Sequence, residues 1–150
     1  MTDTSCERIG GLFIELHHRI HRLVDVAMTD AGLSLARAKV LGVLAEHGPV
    51  KQASIATILG FAPRSVTDTL DALEREGLAT RSSDAHDRRV WLVEITPQGA
   101  EALDRALVVK RTTMKTIYGG LDGAEREQLI TLLTGIRTHL DSQLEAAHVS

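Results

Sequence analysis

The segment Gly60-Phe61-Ala62-Pro63 constrains this chain more than any other feature, because it joins two short apolar-faced stretches with a tight turn. Upstream, the spacing over Val50 to Leu59 predicts a short helix with Ile55, Ala56 and Leu59 on its inner face. Gly60 then permits a left-handed turn, and Pro63 suits a first helical position, where the missing N–H removes no hydrogen bond. Downstream, Val66, Leu70 and Leu73 recur at helical spacing until Gly77 stops the run. Two helices so joined form either a helix-turn-helix or an ordinary corner between helices, and this pattern alone leaves both open.

The residues after Gly77 favour the helix-turn-helix. Leu78 to Ser82 and Val90 to Ile95 read as strands, the second alternating Trp91, Val93 and Ile95 against Leu92 and Glu94. Between them lies the polar loop Asp84-Ala85-His86-Asp87-Arg88-Arg89. A helix-turn-helix followed at once by a hairpin with an arginine-bearing tip is a winged helix. The second helix of such a unit enters a major groove, and the tip can reach the adjacent minor groove.

The flanks read as helices. Ile9, Leu12, Phe13, Leu16, Ile20, Leu23, Val24 and Ala27 form one stripe that ends before Gly32. Ser34 is a suitable cap for a second helix carrying Leu35, Ala38, Leu41, Val43 and Leu44, closed by Gly48-Pro49. After the wing, Thr96-Pro97 starts a helix to about Tyr118 with Leu103, Leu107, Val108 and Met114 among its apolar positions. Gly119-Gly120 breaks it, and Asp122 with Glu125 forms a capping box before a last helix bearing Leu129, Leu132, Leu133, Ile136, Leu140 and Leu144. The first and last stripes exceed what a small winged-helix core can bury, so a shared dimer interface is their simplest use, against packing within one subunit.

Composition narrows the function. At 150 residues and 43% hydrophobic content the chain fits one domain, and its 3% aromatic content with abundant Leu, Ala, Ile and Val suits aliphatic helix packing. Met1 to Arg8 has no leader-like pattern, and no run approaches the ~18 apolar residues that cross a membrane, so a soluble cytoplasmic protein is expected. The single cysteine, Cys6, excludes an intrachain disulfide. No Ser/His/Asp set, phosphate-cradling glycine loop or paired catalytic carboxylates stand in a suitable setting, so no enzymatic activity and no cofactor are expected. Gly10-Gly11 lacks the flanking strand and Lys-Ser/Thr of a phosphate loop. The net charge of −3 argues mildly against nucleic acid. From Lys51 to Ile95 there are six Lys or Arg (Lys51, Arg64, Arg75, Arg81, Arg88, Arg89) against seven acids (Asp68, Asp71, Glu74, Glu76, Asp84, Asp87, Glu94). DNA binding would require the acids to be paired or turned away.

From about Ile9 to Leu144 the sequence resembles the multiple-antibiotic-resistance regulator (MarR) family. The resemblance rests on Leu59-Gly60, Ser65-Val66-Thr67, Leu70, Leu73-Glu74-Arg75-Glu76-Gly77-Leu78, Arg81, Asp84, Asp87-Arg88-Arg89 and Leu92 through Ile95-Thr96-Pro97-Gln98-Gly99, in that order. It implies a mainly α (α+β) fold: a winged helix-turn-helix with a two-stranded wing hairpin and N- and C-terminal dimerisation helices. Residues 1–150 would form one domain, with 33–96 as the DNA-binding lobe and 9–30 and 97–145 as helices for dimerisation. It further implies a homodimer on double-stranded DNA with a pseudo-palindromic operator, a role as repressor in the family's manner, and release by a small molecule, often aromatic or phenolic. Ala62, Asp68 and Ala72 depart from the pattern, standing where many members carry a Ser or Thr cap and arginines.

On the second helix of the motif, Arg64, Ser65, Thr67, Asp68 and Thr69 surround the outward N-terminal end that would meet base edges. Asp68 could accept from a cytosine amino group, but pairing with a nearby arginine is the favoured reading. Arg88 and Arg89 are candidates for the minor groove with Asp87 orienting one of them, against a merely solvated turn. Lys51, Gln52 and Arg37 are candidates for backbone contacts. His17 and His21 lie one helical turn apart, with Glu15 or Asp25 as possible carboxylate partners. For these histidines and His18, solvated or interface roles come first, effector contact second and a metal third. The resemblance places an effector cleft beside His17, His21, Val40, Leu44, Leu107 and Arg111. A reactive cysteine near the first helix marks a peroxide-sensing branch that uses tyrosines, but the only tyrosine is Tyr118, so Cys6 is read as an inert thiol. A metal-responsive regulator using His17 and His21, or a winged-helix module that binds proteins, are the alternatives.

Overall fold

A computed structural model describes residues 4–148. Residues 1–3 of the Met1 to Arg8 stretch, and residues 149 and 150 of the 1–150 domain assignment, lie outside the described residues. The chain is mostly helical, in the order α1 (Thr4–Asp30), α2 (Leu35–His47), β1 (Val50–Lys51), α3 (Gln52–Leu59), α4 (Pro63–Arg75), β2 (Ala79–Ser83), β3 (Trp91–Ile95), α5 (Pro97–Ile117) and α6 (Gly123–His148). Its packing forms a larger unit extending to Thr113 and a smaller one beginning at Met114.

The core of the larger unit comes from aliphatic side chains spaced to meet. Met28 of α1, Val40, Leu41 and Leu44 of α2, Ile55 of α3, Leu70 and Leu73 of α4 and Val93 of β3 are fully shut from solvent. α2 lies at the centre, packed against α1, α3, α4 and β3. Ser34 caps it as its sequence suggested, accepting from the Arg37 N–H at 3.4 Å, while the Asp25 carboxylate of α1 accepts from the Leu35 N–H at 2.8 Å. That second bond ties α1 to the start of α2, next to the buried Leu33 and Leu35.

Several boundaries differ from the sequence reading, and the strands expected at Leu78 to Ser82 and Val90 to Ile95 run Ala79–Ser83 and Trp91–Ile95. The helix expected from Val50 begins at Gln52, because Val50 and Lys51 pair with Val93 and Leu92 as a third strand. The hairpin β2–β3 thus becomes a three-stranded antiparallel sheet in the order β1-β3-β2, with Arg81 opposite Val93 and Ser83 opposite Trp91. A two-residue strand carries no alternation to read, so only pairing reveals it. The first helix also starts at Thr4, upstream of the first apolar residue of its stripe, Ile9.

The join between α4, the sheet and α5 is held by one threonine and one glycine. Thr96 Oγ1 donates to the Gly77 carbonyl at 2.7 Å and accepts from the Gly99 N–H at 2.9 Å, so it both caps α5 and anchors the turn after α4. The Thr96 N–H donates to the Leu78 carbonyl at 3.1 Å. Gly99 is buried against that same carbonyl, so closely that a Cβ would sit 2.0 Å from the oxygen.

In the smaller unit, Asp122 and Glu125 complete the expected capping box: the Asp122 carboxylate accepts from the Glu125 N–H at 2.9 Å, and Glu125 accepts from the Asp122 N–H at 2.8 Å. α6 buries none of its apolar residues within the single chain, and Leu132, Leu133, Ile136, Leu140 and Leu144 all face solvent. Most of the α1 stripe is likewise open; of its members Val24 alone is buried.

Candidate nucleic-acid interface

α3 ends at Gly60, whose φ of 65° and ψ of 26° place it in the left-handed region, and the Phe61 N–H reaches back to the Ala56 carbonyl at 3.1 Å. This turn sets α4 so that Val66, Leu70 and Leu73 point inward. The opposite face therefore carries Arg64, Ser65 and Asp68 outward, all exposed, with Thr67 and Thr69 half-buried beside them. Ala62, at the cap position, offers no side-chain acceptor, so the first-turn N–H groups keep their partial positive charge at the exposed end of the helix.

The two threonines are already engaged. Thr69 Oγ1 donates to the Ser65 carbonyl at 2.7 Å, and Thr67 Oγ1 donates to the Pro63 carbonyl at 3.1 Å. Gln52 Nε2 donates to Thr67 Oγ1 at 3.0 Å. Gln52 thus bridges the starts of α3 and α4 and fixes their relative placement, a role that its position in the sequence did not announce. Asp68 takes part in no ion pair among the described residues, so the pairing with an arginine expected of it is not made.

Aspartates build the wing tip. Asp84 Oδ1 accepts from the His86 N–H at 2.7 Å and the Asp87 N–H at 3.1 Å, and these bonds hold the Asp84 carboxyl below its ordinary range, with a smaller attraction from Lys51. Asp87 Oδ1 accepts from the Arg89 N–H at 3.0 Å. Asp87 therefore positions the backbone of Arg89 rather than its guanidinium. The tip closes through the Asp84 N–H to the Val90 carbonyl at 2.9 Å, leaving Arg88 and Arg89 exposed.

Three further acids of the lobe, Asp71, Glu74 and Glu76, are held by internal arginines, while Glu94 is exposed and, like Asp68, makes no ion pair among the described residues. Arg81 of β2 reaches across to α4, where its guanidinium pairs with both Asp71 and Glu74, at 2.7 Å to the latter. Burial opposes the Arg81 charge, but hydrogen bonds and attraction from Glu74 and Asp71 outweigh it and raise its pKa above the ordinary value. Arg37 of α2 pairs with Glu76 at the end of α4, and its side chain is only 20% exposed. Arg37 thus anchors α4 and does not stand out as an open backbone contact. Asp71 and Glu74 lie three residues apart on one helical face, a spacing that could have marked them as a joint arginine site.

Between α3, α4 and the wing lies a concavity of about 440 Å³, with Lys51, Gln52, Thr67, Arg89 and Trp91 in its lining. None of the six residues expected to border an effector cleft lines it. Val40 and Leu44 are completely buried, Leu107 is half-buried, and His17, His21 and Arg111 are exposed. The carboxylates considered for a metal beside His17 and His21 are used elsewhere, Glu15 in a 2.7 Å pair with Arg19 and Asp25 at the start of α2. Among the described residues no three His, Cys, Asp or Glu side chains converge as metal ligands.

With this geometry in place, comparisons with known proteins decide the family. The model of the MarR family matches residues 33–91, which span α2 to the start of β3. The helix-turn-helix-type transcriptional regulator YkoM of Bacillus subtilis, itself uncharacterised, is 32% identical over 110 residues, covering 73% of this chain and 71% of that protein. The chain belongs to the MarR family. It is accordingly a transcriptional regulator, and the family is one of DNA-binding regulators, not enzymes. A second relative of this MarR-family protein, the transcriptional repressor NicR of Pseudomonas putida, is 27% identical over 93% of this chain and 87% of its own. In fold, it resembles a protein described as a MarR-like transcription regulator from Bacillus cereus, with a TM-score of 0.81, 23% identity, and coverage of 91% of this chain and 99% of that one. Bordetella bronchiseptica BpsR, a protein whose DNA binding is regulated by 6-hydroxynicotinic acid, matches in structure with a TM-score of 0.72 at 24% identity over 87% of this chain and 98% of the other. No helix among the described residues is long and apolar enough to cross a membrane.

Proposed function

We propose that this MarR-family regulator acts as a homodimeric repressor that reads a pseudo-palindromic DNA site through α4 and the Arg88-Arg89 wing tip, and that a small aromatic or phenolic molecule releases it. One observation carries the DNA reading. Of the seven acids between Lys51 and Ile95, Asp71 and Glu74 are bound by Arg81, Glu76 by Arg37, and Asp84 and Asp87 by backbone N–H groups of the wing. Lys51, Arg64, Arg75, Arg88 and Arg89 enter no ion pair among the described residues and are all exposed. A lobe with an acidic sum therefore offers cations to a polyanion while five of its seven acids are held by partners of its own, and only Asp68 and Glu94 stand exposed with no ion pair among the described residues.

Within this reading Arg64, Ser65 and Asp68 meet base edges or phosphates, Lys51 meets backbone, and residues 33–96 form the lobe. The solvent-facing stripes of α1 and α6 serve the dimer, as a two-fold protein suits a two-fold site. The names of NicR as a repressor and of BpsR as regulated by a hydroxylated aromatic acid support repression and effector release. An effector beside His17, His21, Leu107 and Arg111 reaches Val40 and Leu44 only if the helices above them part, since both are fully covered.

The test is fluorescence anisotropy with duplex DNA over a range of salt. Arg88→Ala with Arg89→Ala removes four cations from a dimer, and at ~0.9 per neutralised phosphate the slope of log affinity against log salt falls by up to about 3.6. An unchanged slope and affinity reject the wing assignment. Absence of binding at low salt rejects the DNA reading in favour of a protein-binding winged helix.

A further inference from the structure

The concavity between the helix-turn-helix and the wing is set apart by its charge. None of its lining residues is an acid, although acids outnumber cations from Lys51 to Ile95. Two cations, Lys51 and Arg89, stand at it, one from the β1–α3 junction and one from the wing. The rest of the lining is apolar or neutral, and it includes Pro63 at the start of α4 and the indole of Trp91, which is 50% exposed. A half-exposed tryptophan in a lining with two cations and no carboxylate, Asp84 and Asp87 standing behind those cations in the wing, matches a ligand with an anionic group beside a less polar one.

We infer that this concavity seats a phosphodiester and its sugar from one strand of bound DNA, with Trp91 packing on the sugar and Lys51 and Arg89 neutralising the phosphate. The inference rests on the DNA reading above and adds a fixed point between the two grooves. The strand that separates the major groove entered by α4 from the minor groove met by the wing must pass between those two elements, and the concavity lies between them. The Gln52–Thr67 bond places the starts of α3 and α4 on its wall, so the register of the strand is transmitted to the base-reading end of α4. Trp91 is a positioning residue in this scheme.

Trp91 is the chain's single tryptophan, which makes the test direct. The full-length protein is titrated at low salt with an unlabelled random-sequence duplex while tryptophan emission and its quenching by acrylamide are followed, and anisotropy of the same duplex carrying a dye reports overall binding. The expected result is a change in Trp91 emission and protection from acrylamide over the DNA range in which anisotropy rises. Trp91→Ala is expected to weaken binding several-fold through the lost contact with the sugar, with Trp91→Phe restoring most of it. Lys51→Ala lowers the salt slope by about 2 for a dimer. Circular dichroism melts confirm that each variant folds. Rising anisotropy with unaltered Trp91 quenching and unaltered Trp91→Ala affinity overturns this inference and leaves the DNA reading intact. Protection of Trp91 by inorganic phosphate or by a small aromatic acid, but not by duplex, also overturns it, because the concavity then takes a free anion. No anisotropy change at all removes the DNA reading and this inference together.

Discussion

Gly99→Ala adds one methyl group where the structure has no room for it. The new Cβ would lie 2.0 Å from the Leu78 carbonyl oxygen, 2.9 Å from its carbon and 3.0 Å from Ile95 Cγ1. Two of these are backbone atoms, so no side-chain rotation relieves the clash and either α5 or the β2 entry must move. Leu78 O is also the acceptor for the Thr96 N–H, and Gly99 N–H is the donor to the capping Thr96 hydroxyl. Displacement therefore adds the loss of a helix cap, about 1 kcal/mol, to an overpacking cost of about 1–3 kcal/mol. The combined destabilisation of about 2–4 kcal/mol corresponds to a fall in Tm of about 5–15 °C for a chain of this size. Thermal unfolding followed by far-ultraviolet circular dichroism measures it. Gly42→Ala is the control: it lies within α2 with nothing near the added Cβ, and should leave stability unchanged or raise it by about 0.5–1 kcal/mol. A Gly99→Ala protein that melts with the wild type refutes the packing account of the Thr96-x-x-Gly99 junction.

Other outcomes depend on the interface. Asp84 has a depressed pKa in the folded protein, so its contribution to wing order is present above the ordinary carboxylate range and is lost as pH falls through the lower folded value. Protection of the His86 and Asp87 amides, measured against their intrinsic exchange rates at each pH, should fall in that acid window, and Asp84→Ala should show little protection at every pH; strong protection in the variant would contradict the role given to this carboxylate. Arg81→Ala should cost about 1 kcal/mol of stability, since its partners are half-exposed, and should weaken DNA binding several-fold by leaving Asp71 and Glu74 uncompensated. Equal affinity would show that these acids lie too far from phosphate to matter. Leu140→Glu places a charge in the solvent-facing stripe of α6 and is expected to yield monomers by sedimentation; a wild-type chain that sediments as a monomer removes the dimer reading.

The parts of this fold that were legible in the sequence are those governed by local chemistry. Ser34, Gly60 and the Asp122/Glu125 pair announce helix ends because capping and left-handed turns admit few residue types. Val66, Leu70 and Leu73 announce the inner face of α4 because only one face of a short helix can be apolar. What stayed hidden depends on partners distant in the chain. β1 exists only by pairing with β3, and Gln52 gains its role only when Thr67 is brought to it. Arg37 and Arg81 read as cations available to any anion until folding places Glu76, Asp71 and Glu74 against them.

That last difference meets most of the objection raised by the charge count. Summing charge over a segment treats every group as equally visible to a ligand, but a carboxylate held by a guanidinium at contact distance presents a dipole, whose field decays faster than that of a free ion. Arg81 is spent within the lobe, held between two acids so that their group keeps one negative charge, while Arg37, from outside the counted segment, offsets Glu76. The aspartates of the wing keep their charge, yet each is turned toward backbone N–H groups and in doing so shapes the loop that presents Arg88 and Arg89. The two wing aspartates thus position the cations of its tip, and replacing them with neutral residues should lower affinity for DNA even though the net charge becomes more positive. Asp84→Ala and Asp87→Ala together decide the point: tighter binding at low salt would mean that net charge governs, and weaker binding that the shape of the wing does.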